Sequence, residues 1–309
     1  MIEQFTVTGS ETGMGIGRIG VWHPLLGRAP AQAVRRAAAE IEALGYGALW
    51  YGEAPGTREA FTAGAVLLAA TERIAVGSGI ANIWARDATA MAAGAAALGE
   101  AYPGRFALGV GVSHAPLVER RGHDYTRPLA AMSAYLDAMD RSAADLFPVD
   151  PAPPRLLAAL RPRMLELARD RADGAHPYFV PPEHTAAARE ILGPDRILAP
   201  EQAFVLESDP GRARQVAREH MEGYLRLPNY ANNLRHLGFG DDDLAGGGSD
   251  RLVDAIVAWG DADAVAARVR EHLDAGADHV ALQPLPPDLD TGVAQLTELA
   301  PALGVRPER

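Results

Sequence analysis

One stretch, Ile74 to Pro116, limits what this chain can fold into more than any other: IAVGSGIANIWARDATAMAAGAAALGEAYPGRFALGVGVSHAP. It reads strand, polar turn, helix, turn, strand, polar turn. Both strands, IAVGSGI and RFALGVGV, are short and almost unbroken apolar runs, as strands covered on both faces are. The alanine-rich segment between them, Ala88 to Ala101, is long enough for the crossover that parallel pairing needs. Each strand ends in glycine and polar groups: Gly77, Ser78, Gly79 and Asn82, then Gly111, Ser113 and His114. Glycine there allows tight turns or the close approach of a flat ligand. Two successive strands ending this way predict a binding site at their carboxyl ends.

The rest of the chain repeats the unit. Arg18–Pro24 is the first strand and Ala48–Glu53 the second, with an amphipathic helix over Pro30–Leu44 between them. Helices are expected at Ala60–Thr71 and Thr126–Ala144, then strand five at Arg155–Leu160 and a helix opening on Pro162. Strand six is Gly174–Phe179, strand seven Ala203–Ser208 and strand eight His279–Leu285. Helices are also predicted from Ser249 through Trp259 and from Asp261 through Ala275, each with a capping side chain at its start. Eight strands alternating with helices predict an α/β fold, the (β/α)8 TIM barrel, with an insertion between strands seven and eight. Residues 1–15 read as an arm and 16–309 as one domain. A doubly wound open sheet is the alternative, but no GxGxxG opens the first unit.

Composition narrows the chemistry. The 309 residues contain no cysteine, which removes thiolate nucleophiles, disulfides, Fe–S clusters and cysteine zinc sites. All 29 basic residues are arginine, so Schiff-base chemistry and a P-loop lysine are excluded as well. A net charge of −11 argues against a nucleic-acid or anionic-membrane surface. The polar N-terminus lacks the pattern of a signal peptide and no apolar run spans a membrane, so a cytoplasmic protein acting on a small molecule is expected.

In a barrel of this kind chemistry sits on the carboxyl ends of the strands. Those ends carry His23, Glu53, Gly79–Ile80 with Asn82, Ser113–His114, Arg161 with Arg163, His176 with Tyr178, and Gln283. Arg161 and Arg163 flank a helix start, a natural cradle for phosphate. His23, Glu53, His114 and His176 could be assembled on paper into a metal site, but the chain has neither an HxH on strand one nor an HExxH.

The blocks GALWYGEA, IAVGSGIANIWARDATAMAA, PGRFALGVGVSHA and AGADHVALQPL resemble the bacterial luciferase-like family, specifically its coenzyme F420-dependent oxidoreductases, from about Gly17 to Pro286. The resemblance implies a (β/α)8 barrel, commonly a dimer, that holds a deazaflavin or flavin ring at its mouth. It implies a bulge on strand three with a cis peptide at Gly79–Ile80, an acidic residue near the cofactor at Glu53, and a polar contact at Asn82. Val112 and Ser113 follow the glycine, Gly111, that approaches the ring. Many relatives carry a catalytic histidine where this chain has Ala54. His114 is therefore expected to handle the proton, with His23 and His176 as rivals. The cofactor implied is F420, with FMN as the alternative, and Arg161 and Arg163 are expected to meet its phosphate. The function implied is F420-dependent hydride transfer to or from an unidentified organic substrate. The alternatives are an FMN-dependent monooxygenase, a metal-dependent barrel hydrolase, or a flavin-binding barrel without catalysis. The alanine-rich face around Ala92 to Ala96 is expected to pack in a homodimer.

Overall fold

A computed structural model describes residues 15–285 and 288–307. Most of the expected N-terminal arm, residues 1–14, lies outside the described residues. The strands are β1 (Ile19–Trp22), β2 (Ala48–Gly52), β3 (Ala75–Asn82), β4 (Phe106–Gly111) and β5 (Arg155–Leu157). They continue with β6 (Gly174–Ala175), β7 (Ile197–Leu198), β8 (Glu201–Leu206), β9 (Val257–Gly260) and β10 (Val280–Pro284). The crossover helices are α1 (Ala31–Leu44), α2 (Ala60–Leu68), α3 (Ala88–Ala101), α4 (Ala115–Glu119), α5 (Pro128–Ala143), α6 (Pro162–Arg171) and α7 (Pro182–Leu192). The insertion supplies α8 (Pro210–Leu225), α9 (Pro228–His236), α10 (Asp241–Leu244) and α11 (Asp250–Ile256), and α12 (Ala262–Asp274) and α13 (Leu289–Leu299) complete the ring.

All pairings are parallel, in the order β7-β6-β5-β4-β3-β2-β1-β10-β8-β9. The sheet closes because β7 and β8 are two halves of one pass of chain. On one side, Ala199 and Glu201 donate their amides to Ala175 and Pro177 beside β6; on the other, Pro200 accepts from Ala281 of β10. That single pass fills one place in the wall, and β9 stands outside it against the upper part of β8. What remains is the eight-stranded barrel expected from the alternation.

Outward strand residues such as Val21, Leu49, Tyr51 and Val76 pack with Val34, Ala38 and Ile41 of α1 and their counterparts on the other helices. The lower barrel interior is filled by Trp22, Ala48, Trp50, Ala75, Ala107, Leu156, Ala199 and Ala281. The insertion has its own core, in which Met221, Tyr230, Leu234 and Leu252 meet Phe179, Ala203 and Val205 from the barrel rim. No helix among the described residues is long and apolar enough to cross a membrane.

Several local expectations are corrected. The helix opened by Ser249 stops at Ile256, and Val257–Gly260 becomes β9. The run VAWG is apolar and β-branched at its start, and it finds an unpaired stretch of β8 to join. The chain after His114 turns first through α4 before the longer α5. Only Gly174–Ala175 of GAHPYF is regular strand, since Pro177 cannot donate to a ladder.

Candidate functional site

The centre of the site is an irregularity in β3. Its register with β4 jumps between Gly77 and Ala81, and its register with β2 jumps at Gly52. Ser78 repairs the ladder there: its hydroxyl donates to the Gly109 carbonyl and accepts from the Gly109 amide, both at 2.9 Å. The expected bulge is present. The expected cis peptide is not: the one cis bond among the described residues is Asp150–Pro151, so Gly79–Ile80 is trans. The bulge places Ile80 against Gly111, where an added β-carbon would come within 2.7 Å of the Ile80 side chain. A β-carbon at Gly79 would overlap Nε1 of Trp22. Both glycines are therefore required by neighbouring side chains.

Glu53 is buried at the end of β2. Its carboxylate accepts from the Asn82 amide at 2.8 Å and the Ala60 amide at 3.1 Å, and it pairs with Arg86. Arg86 also reaches Glu59 at 2.8 Å. Asn82 is buried beside it and accepts from the Trp84 amide, while the Trp84 indole donates to the Val112 carbonyl at 3.0 Å. Ser113 follows with a left-handed φ of 59°. Glu53, Gly79, Ile80, Asn82, Gly111, Val112 and Ser113 thus lie together on the adjacent ends of β2, β3 and β4.

The three histidines occupy different positions. His23, buried after β1, accepts the Leu25 amide on Nδ1, so its proton sits on Nε2, which is buried without a partner. Burial pushes its pKa down to about 4, against an opposing pull from Asp288. His176, at the end of β6, stacks on Trp50 at 4.7 Å and donates from Nδ1 to the Ala199 carbonyl, which leaves Nε2 as a buried bare acceptor. Its pKa is likewise pushed down to about 4 by burial. His114 sits at the half-buried rim. Its Nδ1 meets the Asn229 side-chain oxygen of α9 at 3.1 Å, and burial lowers its pKa while that bond opposes the shift. Arg161 and Arg163 are exposed at the start of α6, with no side-chain partner among the described residues.

Reasoning from sequence placed Tyr178 and Gln283 at strand ends but missed Glu201 and the aromatics of the insertion that complete the upper wall. Tyr178 donates to Gln283 at 2.8 Å and meets the Tyr224 hydroxyl of α8 at 2.9 Å, and it lies 5.2 Å from Trp22. Tyr230 of α9 packs on Phe179 and His114 at 5.4 and 5.3 Å. Insertion aromatics therefore cover the mouth on this side. Beneath them Glu201 is 2% exposed; one oxygen accepts from the Phe179 amide at 3.1 Å and the other has no partner. Burial pushes its pKa up to about 8. The alternation of Glu201, Ala203 and Val205 is the signal that could have found it, had the strand been started two residues earlier. Surface concavities of about 420 and 500 Å³, beside α7 and along α8, lie away from this chemistry. Among the described residues no three histidine or carboxylate side chains converge as a metal-ligand set.

The profile of the luciferase-like monooxygenase family matches residues 7–279. The chain belongs to the luciferase-like family. A Mycobacterium tuberculosis protein, provisionally named a coenzyme F420-dependent oxidoreductase, is 28% identical over 246 residues, 69% of this chain and 65% of that relative. The chain thus spans less than two thirds of that relative's length. Among solved structures, an F420-dependent secondary alcohol dehydrogenase bound to an F420–acetone adduct superposes with a TM-score of 0.71 at 16% identity, covering 93% of this chain and 98% of its own. The F420-dependent tetrahydromethanopterin reductase of Methanopyrus kandleri gives 0.69 at 17% identity, covering 93% and 100%. A type II Baeyer–Villiger monooxygenase component of Pseudomonas putida in complex with FMN gives 0.67 at 14%, covering 94% and 100%. At these identities the structures speak for the shared fold.

Proposed function

We propose that this luciferase-like protein is an F420-dependent oxidoreductase that moves a hydride between the deazaflavin and a small organic substrate at the barrel mouth. The observation that carries the reading is the β3 bulge together with buried polar atoms without protein partners at the neighbouring strand ends: the Trp22 and His23 Nε hydrogens and the His176 Nε2 lone pair. A flat heteroaromatic ring edged with carbonyl and N–H groups suits such a mixture of donors and acceptors. When bound, F420 would supply two-electron hydride chemistry. The chain's part is to support the ring on Gly79, Ile80 and Gly111, to meet its edge through Trp22 and Asn82, and to exclude water with the aromatic cover. Glu53 acts one step behind, fixing the ends of β2 and β3. Arg161 and Arg163 attract the phosphate and acidic tail of the cofactor to a protein of net charge −11.

At neutral pH the lowered pKa values leave His23, His114 and His176 as neutral imidazoles. They serve as hydrogen-bonding groups, and His114 also ties β4 to α9; none holds the imidazolium proton that a reduction would consume. A homodimer through α3 would have to use Ala93, Ala96 and Ala97, because Ala92 and Ala95 are buried within the chain and Gly94 lies against Phe61. A cytoplasmic location belongs to the same reading.

Parallel fluorescence titrations with F420 and FMN at several salt concentrations test the proposal. F420 should bind more tightly than FMN, with an affinity that falls as salt rises. Replacing Arg161 and Arg163 together by alanine should weaken binding and flatten that salt dependence. Tighter binding of FMN would transfer the site to the monooxygenase reading, and light scattering on the same sample reports the oligomeric state.

A further inference from the structure

We propose that Glu201 donates its carboxyl proton to the carbonyl oxygen of the substrate, and so completes the reduction that the hydride begins. The inference rests on the F420 reading above and adds a residue and a substrate class to it.

Three observations place Glu201 for the role. It pairs in register with Ala281 and shares a strand face with Ala199 and Ala203. Ala199 and Ala281 pack inside the barrel with Trp22 and Trp50, so the Glu201 side chain also points inward. One of its oxygens is fixed by the Phe179 amide, at a residue held in the left-handed region (φ 61°), which orients the carboxyl group. The other oxygen is buried and has no hydrogen-bond partner among the described residues. A buried carboxyl group left with a free position is costly unless it is neutral or a ligand completes it. Burial raises its pKa to about 8, so the free position carries a proton at neutral pH. The titratable side chains that feel Glu201 are Tyr178, Tyr224 and Tyr230, and burial holds all three phenols in their neutral form.

The surroundings define the substrate. Tyr178, Tyr224, Tyr230 and Phe179 form aromatic walls beside the Glu201 carboxyl, in which the Tyr178 and Tyr224 hydroxyls are engaged with Gln283 and with each other. A ketone flanked by aromatic or alicyclic groups matches that pattern. As the carbonyl carbon gains a hydride from the reduced two-electron carrier, the C=O π bond breaks and the oxygen takes the proton from Glu201. The products are the alcohol, the oxidised carrier and a glutamate carboxylate, which regains its proton from solvent when the product leaves. In the reverse direction the carboxylate accepts the alcohol proton.

The test uses the full chain, with ¹³C-carbonyl acetophenone as the probe and the variants Glu201→Gln and Glu201→Leu. Glutamine keeps the acceptor for Phe179 without the acid, and leucine removes both. Infrared difference spectra of wild type at pH 7 should show a neutral carboxylic-acid band that Glu201→Gln abolishes; an ionised Glu201 overturns the proposal. The bound probe's carbonyl stretch should lie lower in wild type than in either variant. Equal stretches, or no saturable binding to wild type, overturn it too. With reduced F420, Glu201→Gln should slow hydride transfer to the probe by roughly 10²–10⁴-fold and leave F420 affinity unchanged. Equal rates remove Glu201 from the reaction, and a wild type that binds F420 but does not reduce the probe removes the carbonyl assignment. A wild type that binds no F420 overturns the functional reading and the proton-transfer role together, whereas the two infrared measurements still decide whether Glu201 is a neutral donor.

Discussion

The Glu53 carboxylate is held from three directions, by two backbone amides and by Arg86, whose side chain is only 9% exposed. Removing its charge with Glu53→Gln leaves the guanidinium buried with only the half-exposed Glu59 as an anionic partner. Breaking a buried pair from one side typically costs about 3–5 kcal/mol, and Glu59 places this case near the lower end. Chemical denaturation should show that loss, and F420 affinity should fall with it because the ends of β2 and β3 come apart. The position of Glu53 at a strand end could be read from GALWYGEA, but its occupation could not. Arg86 lies beyond the next strand, and only the parallel pairing of β2 with β3 brings the two together. Glu201 was hidden for a related reason. Flanked by Pro200 and Gln202, it looks like a turn residue until the barrel closes and turns it inward.

Among the elements, β3 is the one whose irregularity shapes the site. Gly79→Ala would drive a β-carbon into the Trp22 indole, so Trp22 must leave its place against Tyr178. The expected outcome is a red-shifted tryptophan emission and weaker cofactor binding, with normal folding restored in the Gly79→Ala, Trp22→Ala pair. Unchanged emission would mean that the bulge yields instead. The order of strands and helices was legible because apolar runs and helical stripes are local signals. The bulge was expected only through family resemblance, and the trans peptide within it departs from the cis bond that the resemblance implied. The β7 to β8 division and β9 were not legible, since both depend on which neighbour is available to pair. The tyrosines of α8 and α9 carry no local mark of their place over the mouth.

Taken whole, the molecule buries titratable groups of opposite tendency, and their balance sets its response to pH. His23, His176, His220 and His279 have pKa values pushed down to about 4 by burial, and His272 to about 3. Between those values and the ordinary 6.5 the unfolded chain binds more protons, so stability is lost as pH falls through this window. Glu201, raised from 4.5 to about 8, works in the opposite direction: the folded chain binds more protons, and stability declines as pH rises toward 8. At pH 6.5 the five histidines, half protonated in the unfolded chain, still outweigh Glu201, which dominates only above about pH 7. Urea unfolding should therefore be most resistant near about pH 7. From there to pH 8 it should weaken, by less than the about 1.4 kcal/mol per pH unit of one fully linked proton, and Glu201→Gln should abolish that decline. A wild-type profile that goes on rising to pH 8 as steeply as that of Glu201→Gln would contradict the buried acid. The way β9 lies beside β8 has a further consequence. The chain leaves the wall at Leu206, builds α8 to α11, and returns at Val257 onto the same strand, with Val257 opposite Ala203. Departure and re-entry are thus on neighbouring strands, three residues apart in register and so about 11 Å from each other. The intervening segment is a cassette joined covalently to a single strand, although it also touches the rim at His114 and Tyr178: one of different length alters no other chain connection of the barrel. The aromatic cover that α8 and α9 lay over the barrel mouth can then differ while the ends of β2, β3 and β4 stay as they are.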